Sequence, residues 1–257
     1  MPRWRSSDCE ADMRLIIHGA GGKMGRAVLA LAEKNGYDVA AKVSMEFSTD
    51  AENGVFNSID EFDGRADCII DFSSHLATEK LCSYAVKNGI PVVIATTGQT
   101  PEELEIIAET AKKIPVLRSG NMSLGIALLS KLSALAAKAF PDADVEIVET
   151  HHNQKKDVPS GTALMLAESV KSVKTDAVYN IGRHENGQRK KEEIGIHSLR
   201  AGAEVGTHEV IFATQSQVVT LKHQAQSREL FAEGALSAAG FLTRTGPGLY
   251  TMDDIFG

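Results

Sequence analysis

Two adjacent histidines, two lysines, an aspartate and a Pro-Ser-Gly-Thr turn crowd into residues 151–162 of a 257-residue chain. An imidazole titrates near neutral pH and an ammonium brings mobile positive charge, so His151 and His152 with Lys155 and Lys156 offer proton transfer beside an anion. Ser160, placed ahead of Gly161, Thr162 and the apolar run 163–167, has the form of a helix N-cap. The N–H groups at such a helix start, together with the positive end of its dipole, receive a carboxylate or phosphate. The segment therefore describes a site for one small anion with proton donors next to it. It does not describe a metal site: successive strand residues point to opposite faces, so the two histidines would not easily share an ion, and no cysteine lies nearby to complete a ligand set.

The elements that must place these groups are legible on either side. Residues 145–149 carry branched side chains in alternation with polar ones, the pattern of a half-buried strand. Further back, Arg14–His18 (RLIIH) is a branched strand that runs into GAGGKMG, with glycines at 19, 21, 22 and 25. Met24, Val28 and Leu31 then recur at helical spacing until Asn35-Gly36. Strand, glycine turn and helix make the first unit of a doubly wound nucleotide-binding fold. In it Gly19, Ala20, Gly21, Gly22, Lys23 and Met24 bring backbone N–H groups up to a pyrophosphate. The spacing departs from G-x-G-x-x-G, so the flanking strand and helix carry the reading. A second strand, 38–43, ends at Ser44, where an NAD site usually offers an acid to the ribose. A hydroxyl brings no like charge to a 2′-phosphate, and Lys23 and Lys42 add positive charge. The expected cofactor is NADPH, or both dinucleotides.

The alternation repeats through a strand at 67–71, a helix at 75–88 and a strand at 91–95. Next come a helix opened by a capping box of Thr100 and Glu103 around Pro101, and a strand at 116–117. Ligands of such sheets bind beyond the carboxyl ends of the strands. Ala95, Thr96 and Thr97, with the turn Ser119, Gly120, Asn121, Met122, are therefore candidates for the nicotinamide side. After an amphipathic helix at 124–140 the pattern changes. Residues 193–198, 207–213 and 217–223 read as strands without helices between them, expected to pair with 145–149 in a mostly antiparallel or mixed sheet. A helix at 228–242 precedes a turn at Pro247-Gly248. The expected fold is α/β: a Rossmann-like doubly wound parallel sheet plus a second α+β domain with an open mixed sheet. The dinucleotide domain is expected to take 13–122 and 228–257, and the substrate-binding and oligomerisation domain 123–227. Residues 1–12 are expected to be a disordered polar extension.

With 27 basic and 34 acidic residues the formal charge is −7, which argues against general affinity for nucleic acid or an acidic membrane. No stretch approaches the roughly 18 consecutive apolar residues of a membrane span. Cys9, Cys68 and Cys82 show no ligand spacing and fit a reduced, cytoplasmic compartment. At the level of residues two further readings stay open, another nicotinamide oxidoreductase acting on a small imine or oxo acid, and a non-catalytic nucleotide sensor.

The run ETHHNQKKDVPSGTA, residues 149–163, closely resembles the signature of the 4-hydroxy-tetrahydrodipicolinate reductase (dihydrodipicolinate reductase) family. GAGGKMGR, IIDFS, VVIATTG, GNMSLG, LRAG with VGTHEV, and QSRELFAEGA follow in the family's order, so the resemblance spans nearly the whole chain from Met13. It implies reduction of a cyclic imine dicarboxylate by NADH or NADPH, with loss of water, in the lysine and diaminopimelate pathway. It assigns His151 as proton donor or acceptor and Lys155 as second proton donor. His152, Lys155, Ser160, Gly161 and Thr162 would hold the substrate carboxylates. It also implies a homotetramer built through the sheet of the second domain; no metal is expected. Three departures stand out: Ser44 and Met45 replace an acid and a basic neighbour common at the end of the second strand, Ala95 replaces a glycine, and Met122 stands where some relatives have an aromatic.

Overall fold

A computed structural model describes residues 13–256; the extension expected at residues 1–12 lies outside the described residues. The chain forms two compact units, one from the described residues of Met1–Ser123 with Glu229–Gly257, the other from Leu124–Arg228.

The first unit is built on β1 (Arg14–His18), α1 (Lys23–Lys34), β2 (Asp38–Val43), β3 (Val55–Phe56), β4 (Cys68–Asp71), α2 (Thr78–Asn88), β5 (Val92–Ile94), α3 (Pro101–Ala111) and β6 (Pro115–Arg118). The second unit contributes α4 (Leu124–Ala139), β7 (Asp144–His151), α5 (Gly161–Lys171), β8 (Val178–Ile181), β9 (Glu193–Arg200), β10 (Gly206–Ala213) and β11 (Val218–Ala225). The chain then returns to the first unit with α6 (Glu229–Leu242) and β12 (Gly248–Tyr250). All seven strands of the first sheet pair in parallel, in the order β12-β6-β5-β4-β1-β2-β3. Its inner strands are fully buried because helices cover both faces, which is why they read as unbroken apolar runs rather than alternations. Ile16, Ile69, Val92 and Val116 form one row against Leu81 of α2 and Ile107 of α3. Alternation sends Leu15, Ile17, Ile70 and Val93 to the other face, where α6 packs on β4, β5 and β6 and against α1.

Several local expectations change. The helix expected from His75 begins as a 3₁₀ turn, His75–Ala77, capped by Ser74. Gly248, expected in a turn, opens β12, which adds a seventh strand beside β6. A three-residue edge strand has too little sequence to show a period, and its pairing comes from its neighbour. The strand Val178–Ile181 was likewise not anticipated.

The second sheet runs β11-β10-β7-β9-β8. β10 is antiparallel to β7 and β11, while β7, β9 and β8 are parallel, so the sheet is mixed. Val145, Ile147, Ile194, Ile196, Val210 and Phe212 pack on one face against Leu129 of α4 and Leu166 and Val170 of α5. β7 runs two residues beyond the expected Glu149 and ends at His151. That extension puts His151 in the ladder, in register with Arg200 of β9.

Candidate active site

In the second unit the site grows from strand periodicity. Glu149 and His151, two residues apart on β7, share the face that packs on α5. Glu149 is fully buried and His151 is 8% exposed. The carboxylate sits at the centre of a network. Its Oε2 accepts from His151 Nδ1 at 2.5 Å and from Arg200 at 2.9 Å. Its Oε1 accepts from Arg200 at 2.8 Å and from the Ser160 N–H at 3.2 Å. Burial alone would raise this carboxyl, but the hydrogen bonds from Arg200 and His151 outweigh it and hold Glu149 down at about 2. An ionised carboxylate only accepts, so Nδ1 of His151 carries the hydrogen and Nε2 becomes the nitrogen free to exchange a proton. Nε2 faces Gly206, where an added Cβ would sit 3.0 Å away.

Ser160 is the N-cap of α5, its Oγ accepting the Ala163 N–H at 3.1 Å. Gly161 beside it is exposed, with no heavy atom within 4 Å of where a side chain would begin. The start of α5 is thus open at Gly161 to an incoming anion. Lys155 pairs with Asp157 at 3.0 Å, a bond that lowers the Asp157 carboxyl. Arg200 joins this arm to Glu149, donating also to the Asp157 carbonyl at 2.7 Å. His152 is held by its backbone, whose N–H donates to the Glu204 carbonyl at 2.8 Å and whose carbonyl accepts from Lys155. Of the residues expected to act together, His151 and Ser160 meet through Glu149, and Lys155 joins through Asp157 and Arg200.

Three members were not anticipated: Glu149, Arg200 and His208. Glu149 had one local signal, a carboxylate two residues before a histidine in an alternating strand. Arg200 and His208 lie within LRAG and VGTHEV, motifs that carried a resemblance but no chemistry. His208 is 4% exposed, with its ring edge-on to His151 at 5.1 Å between centroids. Burial, and then the nearby His151, push its imidazole down to about 3.

In the first unit the glycine loop works by lacking side chains. Gly19 takes φ +82°, and a Cβ there would lie 2.5 Å from the Phe72 carbonyl oxygen. A Cβ on Gly25 would lie 2.1 Å from the Gly19 oxygen. Gly22 caps α1 without a side-chain bond, and no acid occupies the first turn, so nothing on α1 itself opposes a phosphate there. Ala20 is buried under the loop and Lys23 is exposed beside it. Ser44 Oγ and Glu46 Oε2 flank Gly21, 2.7 and 3.0 Å from where its Cβ would be. Thr96 Oγ1 is buried without a partner among the described residues. Thr97 comes to Gly120, whose Cβ would sit 3.7 Å from its methyl. The Ser119–Asn121 turn is closed by Ser119 Oγ donating to the Asn121 carbonyl at 2.7 Å. Met122 is buried, its carbonyl against Gly234 of α6. A cradle that side chains would fill and an orphaned hydroxyl at the strand ends fit a dinucleotide. His18 Nδ1 meets Asp71 at 2.7 Å behind the loop, a brace the sequence did not announce.

Residues 13–122 match the model of the dihydrodipicolinate reductase N-terminus and residues 125–256 that of its C-terminus. The 4-hydroxy-tetrahydrodipicolinate reductase of Caldanaerobacter subterraneus subsp. tengcongensis is 51% identical over 249 residues, covering 95% of this chain and 98% of that relative. The protein of the same name from Clostridium novyi is 43% identical, covering 94% and 97%. Among solved structures, dipicolinate-bound dihydrodipicolinate reductase from Paenisporosarcina sp. TG-14 aligns with a TM-score of 0.81 at 26% identity, over 95% of this chain and 99% of that one. An amine dehydrogenase from Mycobacterium smegmatis aligns with a TM-score of 0.64 at 10% identity over 94% of this chain and 95% of that one, a likeness of fold alone. Matched in both halves over nearly its whole length, the chain belongs to the dihydrodipicolinate reductase family.

Proposed function

We propose that the chain reduces 4-hydroxy-tetrahydrodipicolinate to tetrahydrodipicolinate with loss of water, in lysine and diaminopimelate biosynthesis. The observation that carries this reading is the Glu149–His151 pair beside the Ser160-capped start of α5, in a chain with full-length reductase relatives. Ser160, Gly161 and Thr162 at the helix start, with His152 and Lys155, hold the two substrate carboxylates, offsetting the desolvation of a dianion. Reduction needs a proton as well as a hydride. His151 exchanges that proton at Nε2, and Lys155 is the second donor. Glu149, accepting from Nδ1, fixes the ring and its tautomer. The reduced nicotinamide, when bound, supplies the hydride.

Gly19 to Met24 would hold the pyrophosphate of that dinucleotide, and Ala95, Thr96, Thr97 and Ser119 to Met122 its nicotinamide side. From Ser44 the expectation was NADPH, or both dinucleotides. Glu46, beside Gly21, brings back a carboxylate that opposes a 2′-phosphate, so we assign use of both dinucleotides rather than NADPH alone. We further infer a tetramer formed through the second sheet, where Leu199 and Val218 are about half exposed or more, at 47% and 64%. Light scattering that gave a monomer at micromolar concentration would remove that inference. Cys68 and Cys82 are free and buried, in keeping with the proposed cytoplasmic setting. The present His151 and Lys155 speak against a sensor without catalysis. The test is a coupled assay in which the upstream synthase supplies substrate and absorbance of the reduced dinucleotide is followed. Oxidation no faster than without the synthase product would overturn the assignment.

A further inference from the structure

His208 is used by no step above, yet it is built into the site from several sides. On β10 it pairs across the ladder with Glu149 of β7 and with His223 of β11. Its Nε2 lies 3.2 Å from Ser160 Oγ. Its Nδ1 is buried with no hydrogen-bond partner among the described residues. The titratable groups around it are Glu149 and His151 from β7, His223 from β11 and Lys155 from the loop. A buried, unpaired N–H is costlier to tolerate than an under-used acceptor. The ring therefore carries its hydrogen on Nε2 and leaves Nδ1 bare. Ser160 Oγ then receives two N–H groups, from His208 and from Ala163. With the oxygen held between β10 and the first turn of α5, the cap cannot rotate away.

We propose that His208 is a positioning residue for the dicarboxylate site, anchoring the Ser160 cap to the sheet so that the start of α5 stands ready for a carboxylate. This rests on the reading that Ser160 to Thr162 hold that carboxylate. The anchoring hydrogen bond acts on the ground state and the transition state alike, since Ser160 Oγ takes no part in the proton transfer, and His208→Phe keeps an aromatic ring against His151. Its loss therefore weakens binding and leaves turnover nearly intact.

The experiment measures the Kd of pyridine-2,6-dicarboxylate by calorimetry, with KM and kcat alongside, for the full chain carrying His208→Phe, His208→Gln, Ser160→Ala and the Phe/Ala pair. His208→Phe should raise Kd and KM about tenfold, the size of a lost helix cap, with kcat changed by less than about threefold. His208→Gln keeps an N–H within reach of Ser160 and should recover most of the binding. In the Ser160→Ala background the Phe substitution should add nothing, because the partner is gone. An unchanged Kd in His208→Phe, with or without a lowered Tm, overturns the proposal, as does a Gln variant as weak as Phe or an additive double variant. Should the Phe variant not fold, His208→Ala against His208→Gln makes the same comparison. An unaltered Kd in Ser160→Ala would instead overturn the carboxylate-site reading itself.

Discussion

The two candidate sites are made in opposite ways. The loop after β1 is defined by atoms that are missing: Gly19, Gly21 and Gly25 leave room that a methyl group would fill. The site on β7 is defined by atoms that are present and mutually dependent, with a single carboxylate answering His151, Arg200 and the Ser160 backbone at once. A surface made of backbone binds whatever fits its contour and is damaged by additions. A buried charge network sets protonation states and is damaged by deletions, because each departure leaves a partner uncompensated.

That contrast can be broken most sharply at His151. His151→Gln should lower kcat by about 10²- to 10⁴-fold while dicarboxylate affinity holds within a few fold; steady-state kinetics with calorimetry checks it, and an unchanged kcat would end the proton-transfer role. Next in size is Glu149→Ala, which removes the one carboxylate that Arg200, His151 and the Ser160 N–H share and should cost about 3–5 kcal/mol in stability, read by denaturant unfolding. The same network sets the acid response. Glu149 has its carboxyl depressed in the fold, so its stabilisation is complete above the ordinary carboxylate value of 4.5 and is lost as pH falls toward about 2. His208 is held neutral, so its contribution also shrinks on acidification, from 6.5 down toward about 3. Tm should therefore fall below about pH 6.5 through His208 and more steeply below about pH 4.5 through Glu149; a Tm flat from pH 6.5 to 4.5 would contradict the His208 assignment, and an unchanged slope below 4.5 the Glu149 one.

The first site should fail by addition. Gly25→Ala forces a backbone shift against Gly19 and should cost about 1–3 kcal/mol, weakening dinucleotide binding by roughly ten- to a hundred-fold while pyridine-2,6-dicarboxylate still binds. Equal damage to both ligands would show that the two sites do not fail independently. The smallest effect belongs to Glu46→Gln, which should tighten NADPH by about three- to tenfold through relief of like charge and leave NADH within about twofold. Fluorescence titration of each dinucleotide decides it, and a wild-type preference beyond about fiftyfold either way would remove the assignment of both.

What the sequence disclosed follows the range over which each feature is determined. The strands Arg14–His18 and Asp38–Val43, and the Thr100–Glu103 capping box, were legible because period, branching and capping are local. Ser160 as N-cap was legible for the same reason. Arg200 was not, since it reaches Glu149 from 51 residues away. The carboxylate at Gly21 was not legible from Ser44 and Met45, because the chain beyond Ser44 turns and brings Glu46 alongside. β12 was hidden by its brevity, and His208 by a strand pairing that no short window contains.

The division of the first unit between the two ends of the chain bears on how the molecule is made. A ribosome delivers Leu124–Arg228 as one uninterrupted stretch, so that unit has all its residues at hand while its neighbour still lacks α6 and the strand beside β6. The first unit must therefore wait, its sheet one strand short and one face uncovered, until Tyr250 has emerged. A nascent chain stalled before Glu229 would carry every residue of the second unit on an open scaffold, and chaperones would find their apolar target in the older part of the polypeptide, not the newer.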